Sequence, residues 1–374
     1  MEAEQERQAS ESLHGRVVAC IEAFRKGARE PESFDELASD IARFQARNVV
    51  GFGRLCASRG VDPSTFTRAD QVPAVPTEAF KLSRIFAFAD SEAKVVFRTS
   101  GTTIGARGTH YMRDVRTYAS GARTFGRSML AGDLELPTSV LVFGSSDEST
   151  PDSSLAFMCG EFVRAWTLCA ASEQTYFVRN GTLDLDGIRS RIAAHSHGRP
   201  VTILSTSFAL VHVLDALGSE RMILPEGSRV MQTGGYKGKS REVDVEVLRK
   251  AVSHAFGINP RYIIGEYGMT ELSSQFWEAT LVDPKARHGV YMEPPWARVV
   301  PVDPETLAPV PDGAVGVARI EDLANVDSAV AVLAEDRVRR VEGGFELLGR
   351  LENAPARGCS IALDELLGDR RRRT

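Results

Sequence analysis

Positions 95–111 read Val95-Val96-Phe97-Arg98-Thr99-Ser100-Gly101-Thr102-Thr103-Ile104-Gly105-Ala106-Arg107-Gly108-Thr109-His110-Tyr111, two strand-like runs around a loop of hydroxyls, glycines and one cation. Glycines let a backbone approach a polyphosphate, hydroxyls and free N–H groups donate to its oxygens, and Arg107 supplies charge, so the loop has the makings of a phosphate cradle. It has neither the G-x-x-x-x-G-K-[ST] spacing nor the dinucleotide fingerprint, and a strand pattern follows Gly108 where both motifs need a helix. A second group, Gly265-Glu266-Tyr267-Gly268-Met269-Thr270-Glu271, follows the apolar run 262–264. Its ring can stack a base, its hydroxyl can bond a phosphate and its carboxylates can hold a magnesium ion. Between the two lies Thr233-Gly234-Gly235-Tyr236-Lys237-Gly238-Lys239, again after a strand-like run.

The elements that must position these groups alternate. Short β-branched or aromatic runs at 139–143, 175–178, 201–204, 229–232 and 261–264 are separated mostly by helical patterns. The clearest helix is 242–256, where Leu248, Ala251, Val252, Ala255 and Phe256 form one stripe. Such alternation predicts an α/β fold with a largely parallel sheet, whose ligands collect beyond the strands' carboxyl ends. Upstream, a polar arm leads into helical spacing of Val17, Val18, Ile21 and Phe24, and 34–57 reads as one further helix. Asp114 is placed to cap a helix reaching about Leu130, and 72–76 must be extended around its prolines. The expected organisation is an N-terminal helical segment (1–62) packed on the core, an α/β core (63–296), a small β subdomain (297–348) and a short tail (349–374).

The chain has 374 residues, 43% of them hydrophobic, which suffices for a sizeable core. A net charge of -5 gives no general reason to expect nucleic acid or a membrane surface as partner. No apolar run is long enough to span a bilayer, and 1–16 lacks a signal-type core, so a cytoplasmic setting is expected. Cys20, Cys56, Cys159, Cys169 and Cys359 are odd in number and form no C-x-x-C pair, which fits a reduced compartment.

Taken together the motifs carry a resemblance. The loop 99–108 resembles the TSGTTGxPKG motif of the adenylate-forming superfamily, and Tyr267-Gly268-Met269-Thr270-Glu271 matches its YGxTE motif in full. Leu333-Ala334-Glu335-Asp336 and Gly349-Arg350 follow in order where that superfamily has its ribose-binding aspartate and the GR before its hinge. Within it, Pro73-Ala74-Val75-Pro76-Thr77-Glu78-Ala79-Phe80-Lys81, Gly234-Gly235-Tyr236-Lys237-Gly238 and Arg357-Gly358-Cys359-Ser360 resemble the LuxE-type acyl-protein synthetases, over about 66–367.

The resemblance implies a large adenylate-forming domain of mostly parallel sheets flanked by helices, layered αβαβα, with a small β subdomain and without the superfamily's C-terminal lid. It implies ATP- and Mg²⁺-dependent activation of a carboxylic acid, fatty or aryl, to an acyl-adenylate with release of pyrophosphate. The acyl group then passes to a thiol of the chain itself, of a partner protein or of CoA. Carried over by position, Thr99, Ser100, Gly101, Thr102 and Thr103 hold the β- and γ-phosphates, with Arg107 in place of the usual lysine. Tyr267 stacks on adenine, with Gly268 and Met269 completing its motif, Thr270 meets the α-phosphate and Glu271 ligates Mg²⁺. Asp336 binds the ribose and Arg350 lies near ribose or phosphate, while Gly234 and Gly235 let the chain pass close to the nucleotide and Tyr236 and Lys237 share their loop. Cys359 is the candidate acyl acceptor, its pKa lowered by Arg357.

Ile104 and Ala106 depart from the family loop. A CoA ligase, a stand-alone adenylase feeding an amine or carrier protein, and a degenerate AMP-binding module are the competing readings. Taken singly, Lys81, Arg107 and Lys237 read as surface cations, His195 and His197 as surface residues, and His212 as either core or acyl-pocket lining. The run Arg370-Arg371-Arg372-Arg373 reads as a solvated end.

Overall fold

A computed structural model of the chain describes residues 2–99, 107–167, 175–195, 198–234, 243–351 and 357–368. Ser100, Gly101, Thr102, Thr103, Gly235, Tyr236 and Lys237 therefore lie outside the described residues, as do Cys169, His197 and the terminal arginine run. The chain forms two compact units, one of Met1–Thr124, Met269–Gln275 and Met292–Thr374, the other of Phe125–Gly268 and Phe276–Tyr291.

The first unit opens with helices α1 (Glu2–Arg25), α2 (Phe34–Asn48) and α3 (Val50–Ser58). Strand β1 (Val75–Pro76), the short helix α4 (Ala79–Leu82), strands β2 (Val95–Arg98) and β3 (Thr109–Met112) and the start of α5 (Arg116–Ala131) follow. The second unit continues α5 and adds β4 (Ser139–Phe143), α6 (Ser154–Trp166), β5 (Val178–Arg179), β6 (Thr182–Leu183), α7 (Leu185–His195) and β7 (Val201–Thr206). It goes on through α8 (Ser207–Leu217), β8 (Arg229–Thr233), α9 (Val245–Phe256), β9 (Ile263–Tyr267), β10 (Phe276–Glu278) and β11 (Val290–Met292). The chain then rejoins the first unit as β12 (Ala297–Val302), β13 (Val315–Asp322), β14 (Ala331–Val341), β15 (Gly344–Arg350) and α10 (Arg357–Leu367).

In the second unit β4, β7, β8 and β9 run parallel, with Ser139 opposite Val201, Thr202 opposite Arg229 and Val230 opposite Ile263. Helices between them bury Ile188, Leu210, Val213, Leu248, Val252 and Phe256 against the sheet. This is the α/β architecture expected from the alternation. β9 sits later than the run 261–264 predicts, because Asn259 caps a turn at Pro260–Tyr262 and holds those residues out of the strand. The shift makes Glu266 and Tyr267 the last residues of a strand instead of loop residues.

In the first unit β12 to β15 form an antiparallel meander, matching the strands expected between 297 and 348. β14 is shared lengthwise: Val332 and Leu333 pair in parallel with β1, while Asp336 to Val341 pair with β15. The helix expected over 34–57 is two helices. Val49 is extended (φ -105°, ψ 98°), between an Asn48 amide that donates to the Phe44 carbonyl at 2.9 Å and a second β-branched residue, Val50. Both features weaken helix continuity. The polar N-terminal arm is itself part of α1.

One close approach tests the packing of the second unit. A Cβ on Gly126 of α5 would come within 2.5 Å of Phe162 Cζ, and that ring is stacked on Trp166 at 4.4 Å. Gly126→Ala is expected to destabilise by about 1–3 kcal/mol, read as a lower urea midpoint at unchanged m-value; an unchanged midpoint would show that the ring gives way freely.

Candidate active site

Strands β2 and β3 form a hairpin in which Phe97 faces His110 and Arg98 faces Thr109. One step further, Thr99 N–H donates to the Gly108 carbonyl at 2.9 Å and Gly108 N–H donates to Thr99 Oγ1 at 2.9 Å. These bonds close the base of the glycine loop. Arg107 turns back onto this base, with Nε 2.6 Å from the Thr99 carbonyl and a terminal nitrogen 3.3 Å from that of Arg98. Its guanidinium therefore braces hairpin backbone. A Cβ on Gly108 would meet Thr99 Cγ2 at 3.0 Å, Glu271 Oε1 at 3.4 Å and Lys81 Cγ at 3.5 Å. Leaving out that side chain sets the Glu271 carboxylate directly against the base of the loop.

The segment bearing Thr270 and Glu271 is held by a buried polar bracket. His110 Nδ1 lies 2.9 Å from the Thr270 carbonyl and its Nε2 lies 2.9 Å from Ser328 Oγ. The Asn325 amide donates to the carbonyls of Glu271 (2.9 Å) and Ala329 (3.0 Å), while its oxygen accepts from Ser273 Oγ at 2.7 Å. Asp322 accepts from the N–H groups of Ser273 and Ser274, both at 2.9 Å, from Ser274 Oγ at 2.6 Å and from Ala324 N–H at 3.0 Å. Burial pushes the Asp322 carboxyl up, and these donors pull it back toward the charged form. Burial likewise lowers His110 to about 4, although its bond to the Thr270 carbonyl favours the proton. The ring is neutral at pH 7, donating through Nδ1 and accepting from Ser328 through Nε2. Sequence reasoning missed His110, Asp322 and Asn325. The available signal was the small, polar stretch 321–329, which runs from the end of β13 toward β14.

Asp336 and Arg350 stand opposite each other on β14 and β15, with Arg350 Nε 3.2 Å from Asp336 Oδ1. Desolvation lowers the Arg350 pKa, but the carboxylates of Asp336, Glu335 and Glu271 outweigh it and raise it overall. Cys359 lies on α10, which packs on α3, α4 and β1, so two stretches behind the LuxE resemblance, 73–81 and 357–360, adjoin. Gly358 lets the start of α10 lie close against the segment after β12: its N–H donates to the Pro304 carbonyl at 2.9 Å, and a Cβ would strike that oxygen at 2.7 Å. Cys359 is 5% exposed, and burial, aided by Glu335, pushes its thiol pKa up to about 11. This reverses the lowering expected from Arg357.

In the second unit Tyr267 is buried, its ring 5.8 Å from Phe276 and 6.1 Å from Tyr291 between centroids. Gly234 adopts φ +70° at the end of β8, and its carbonyl accepts from Ser207 Oγ at 2.8 Å. The left-handed conformation explains the glycine there. Burial raises the Glu266 carboxyl to about 7, although the Thr233 hydroxyl donates to it. His212 is exposed and meets Phe208 edge-on, whereas His195, expected at the surface, is half-buried and bonded to Ser139 Oγ (2.9 Å) and the Arg191 carbonyl (2.8 Å). Cys20, Cys56 and Cys159 are buried free thiols.

With this geometry in hand, residues 37–368 match the family model "Acyl-protein synthetase, LuxE". The chain belongs to the LuxE acyl-protein synthetase family. It is 20% identical over 354 residues to the long-chain-fatty-acid–luciferin-component ligase of Aliivibrio fischeri, covering 90% of this chain and 89% of the relative. The same ligase of Vibrio harveyi is 22% identical over 341 residues, 86% and 85% of the two chains. Among solved structures, 2-hydroxyisobutyryl-CoA ligase with 2-HIB-AMP and CoA superposes with TM-score 0.62 at 13% identity, covering 93% of this chain and 69% of that one. ATP-bound MatB from Rhodopseudomonas palustris gives TM-score 0.50 at 17% identity, with 72% of this chain spanning 50% of MatB. These neighbours speak for the fold, which is that of adenylate-forming enzymes, and the family makes the chain a ligase of that class. No helix among the described residues is long and apolar enough to cross a membrane.

The neutral His110 has a measurable consequence. Between pH 6.5 and about 4 the unfolded chain takes up a proton that the folded chain refuses, so stability falls as pH falls through that window. The loss is on the order of 3 kcal/mol. Denaturant unfolding at stepped pH should show it in the wild type and not in His110→Gln; the comparison also cancels Glu266, whose raised carboxyl acts with the opposite sign. Identical pH slopes for the two proteins would rule the effect out.

Proposed function

We propose that the chain activates a carboxylic acid, fatty or aryl, with ATP and Mg²⁺ to an acyl-adenylate, and passes the acyl group to a thiol. The observation that carries this reading is the Glu271 carboxylate set against Gly108 and Thr99 at the base of the glycine loop, in a chain of this family. A substrate carboxylate oxygen attacks the α-phosphorus, the bond from that phosphorus to the bridging oxygen breaks, and pyrophosphate leaves. Negative charge gathers on phosphate oxygens, so positioned donors and cations matter more than a proton-transfer base.

In this reading Thr99, Ser100, Gly101, Thr102 and Thr103 donate to the β- and γ-phosphates, with Arg107 bracing the loop, and Thr270 meets the α-phosphate. Glu271 offers the hard oxygen that Mg²⁺ prefers, and a cradle that a Cβ on Gly108 would fill leaves room beside it. When bound, Mg²⁺ supplies charge neutralisation at the phosphates. Asp336 takes the ribose hydroxyls, Arg350 neighbours it, and Tyr267 stacks on adenine. By the resemblance, Gly234, Gly235, Tyr236 and Lys237 would be the stretch that passes close to the nucleotide.

For the second step Cys359 is our candidate: its sulfur attacks the acyl carbon and AMP departs. The buried, protonated thiol requires that α10 move before this happens. The same burial favours a second reading, in which CoA, a partner protein's thiol, or an amine or carrier protein takes the acyl group from the adenylate directly.

Acid-dependent pyrophosphate exchange with fatty, aryl and amino acids tests the first step. Glu271→Gln is expected to lower exchange about 100-fold; wild-type rates in that variant would remove the motif assignment. Labelled acid and ATP followed by a denaturing gel tests the second. Label absent from Cys359→Ala supports the internal thiol, label retained there removes that cysteine from the mechanism, and label seen only on an added acceptor supports the second reading.

A further inference from the structure

Lys81 ends the stretch 73–81, to which the activity above gives no task. Its backbone is fastened within the first unit from three directions. Thr77 N–H donates to the Leu333 carbonyl at 3.0 Å, continuing the β1–β14 pairing. Phe80, buried, sets its ring edge-on to His110 at 5.8 Å, and its carbonyl accepts from the Thr109 hydroxyl at 3.4 Å. Thr109 and His110 are consecutive residues of β3, and His110 also holds the Thr270 carbonyl. The residue before Lys81 is thus pinned to the glycine-loop hairpin and to the Thr270 segment at once.

The side chain follows from that anchoring. Lys81 Cγ and Glu271 Oε1 both lie within 3.5 Å of the point where a Gly108 Cβ would sit. The stem of Lys81 therefore runs beside Gly108 and Glu271 and ends in an ammonium paired with Glu78. Here it donates to Glu78 Oε2 at 2.7 Å, with the two side chains 37% and 49% exposed. An exposed pair three residues apart contributes little, so exchanging it for a more highly charged partner is easy. Arg107, meanwhile, lays its guanidinium on the carbonyls of Thr99 and Arg98. A flexible ammonium with three rotatable donors suits the oxygens of a polyphosphate.

We propose that Lys81 is a phosphate-binding residue of this ligase, its ammonium leaving Glu78 for the β- or γ-phosphate when ATP enters; this rests on the adenylation reading. The test is calorimetric binding of Mg·ATP and of AMP to the full chain, alongside acid-dependent pyrophosphate exchange. Lys81→Met is expected to weaken ATP about tenfold or more and leave AMP unchanged, with part of the loss restored in Lys81→Arg. Equal binding of ATP in Lys81→Met and wild type overturns the proposal, as does a parallel loss of ATP and AMP, which a merely structural role would give. If Lys81→Met weakens ATP selectively but no acid stimulates exchange in the wild type, the Lys81 contact stands and adenylation falls. Absence of ATP binding in the wild type overturns both.

Discussion

The position of Glu271 depends on one buried carboxylate. Asp322 is fully buried, and an ionised carboxyl there is tolerable only with its lone pairs met. Four donors meet them, and three of the four come from Ser273 and Ser274. The backbone after Glu271 is consequently fixed by the need to present two adjacent N–H groups to one oxygen. Asn325 sets the other edge of the segment, since its amide joins the Glu271 carbonyl to Ala329 and its oxygen takes the Ser273 hydroxyl. Loss of that side chain leaves three buried groups without these bonds, at about 1–3 kcal/mol each.

The bracket also gives the N-terminal helices a role beyond covering a core. Gln45 of α2 donates to the carbonyls of Asn325 (2.7 Å) and Val326 (2.9 Å) and accepts from Val330 N–H at 3.0 Å. Asp327 accepts from Ser10 Oγ of α1 at 2.7 Å and from Arg113 at 2.9 Å, and His14 Nε2 lies 3.2 Å from it. The loop 322–330 is thereby held between the Glu271 segment and two helices of the same unit. Ser10, in the stretch whose sequence reads as a polar arm, is part of the scaffold of the site.

This division explains what could be read from the sequence. The glycine loop, the Tyr267-to-Glu271 motif and the strand–helix alternation announce themselves because each is local: neighbouring residues of the right types carry the signal. The bracket is not local. His110 meets Thr270 across 160 positions and Ser328 across 218, and in sequence such residues look like ordinary loop polarity. Burial misled in the same way at Cys359, where Arg357 suggested an activated thiol but desolvation sets the pKa. Strand and helix ends erred where a local competitor intervened, the Asn259-capped turn before β9 and the Asn48 side chain at the end of α2.

The end of β9 shows how an absent side chain organises its neighbours. Side chains alternate along a strand, so Gly265 and Tyr267 share one face and Glu266 takes the other. On the first face Glu278 fills the space at Gly265, accepting from its N–H at 2.8 Å and from Arg249 at 2.8 and 3.0 Å; a Cβ would come within 2.9 Å of its carboxyl carbon. Tyr291 lies against the same gap, its hydroxyl 3.0 Å from that point, and its ring flanks Tyr267. The two carboxyls then diverge. Donors from His288, Arg249 and two backbone N–H groups outweigh burial and lower Glu278, while Glu266, with the Thr233 hydroxyl, is raised to about 7. A permanent anion braces one face of the strand and a titratable acid occupies the other, and the orientation of Tyr267 follows from the first.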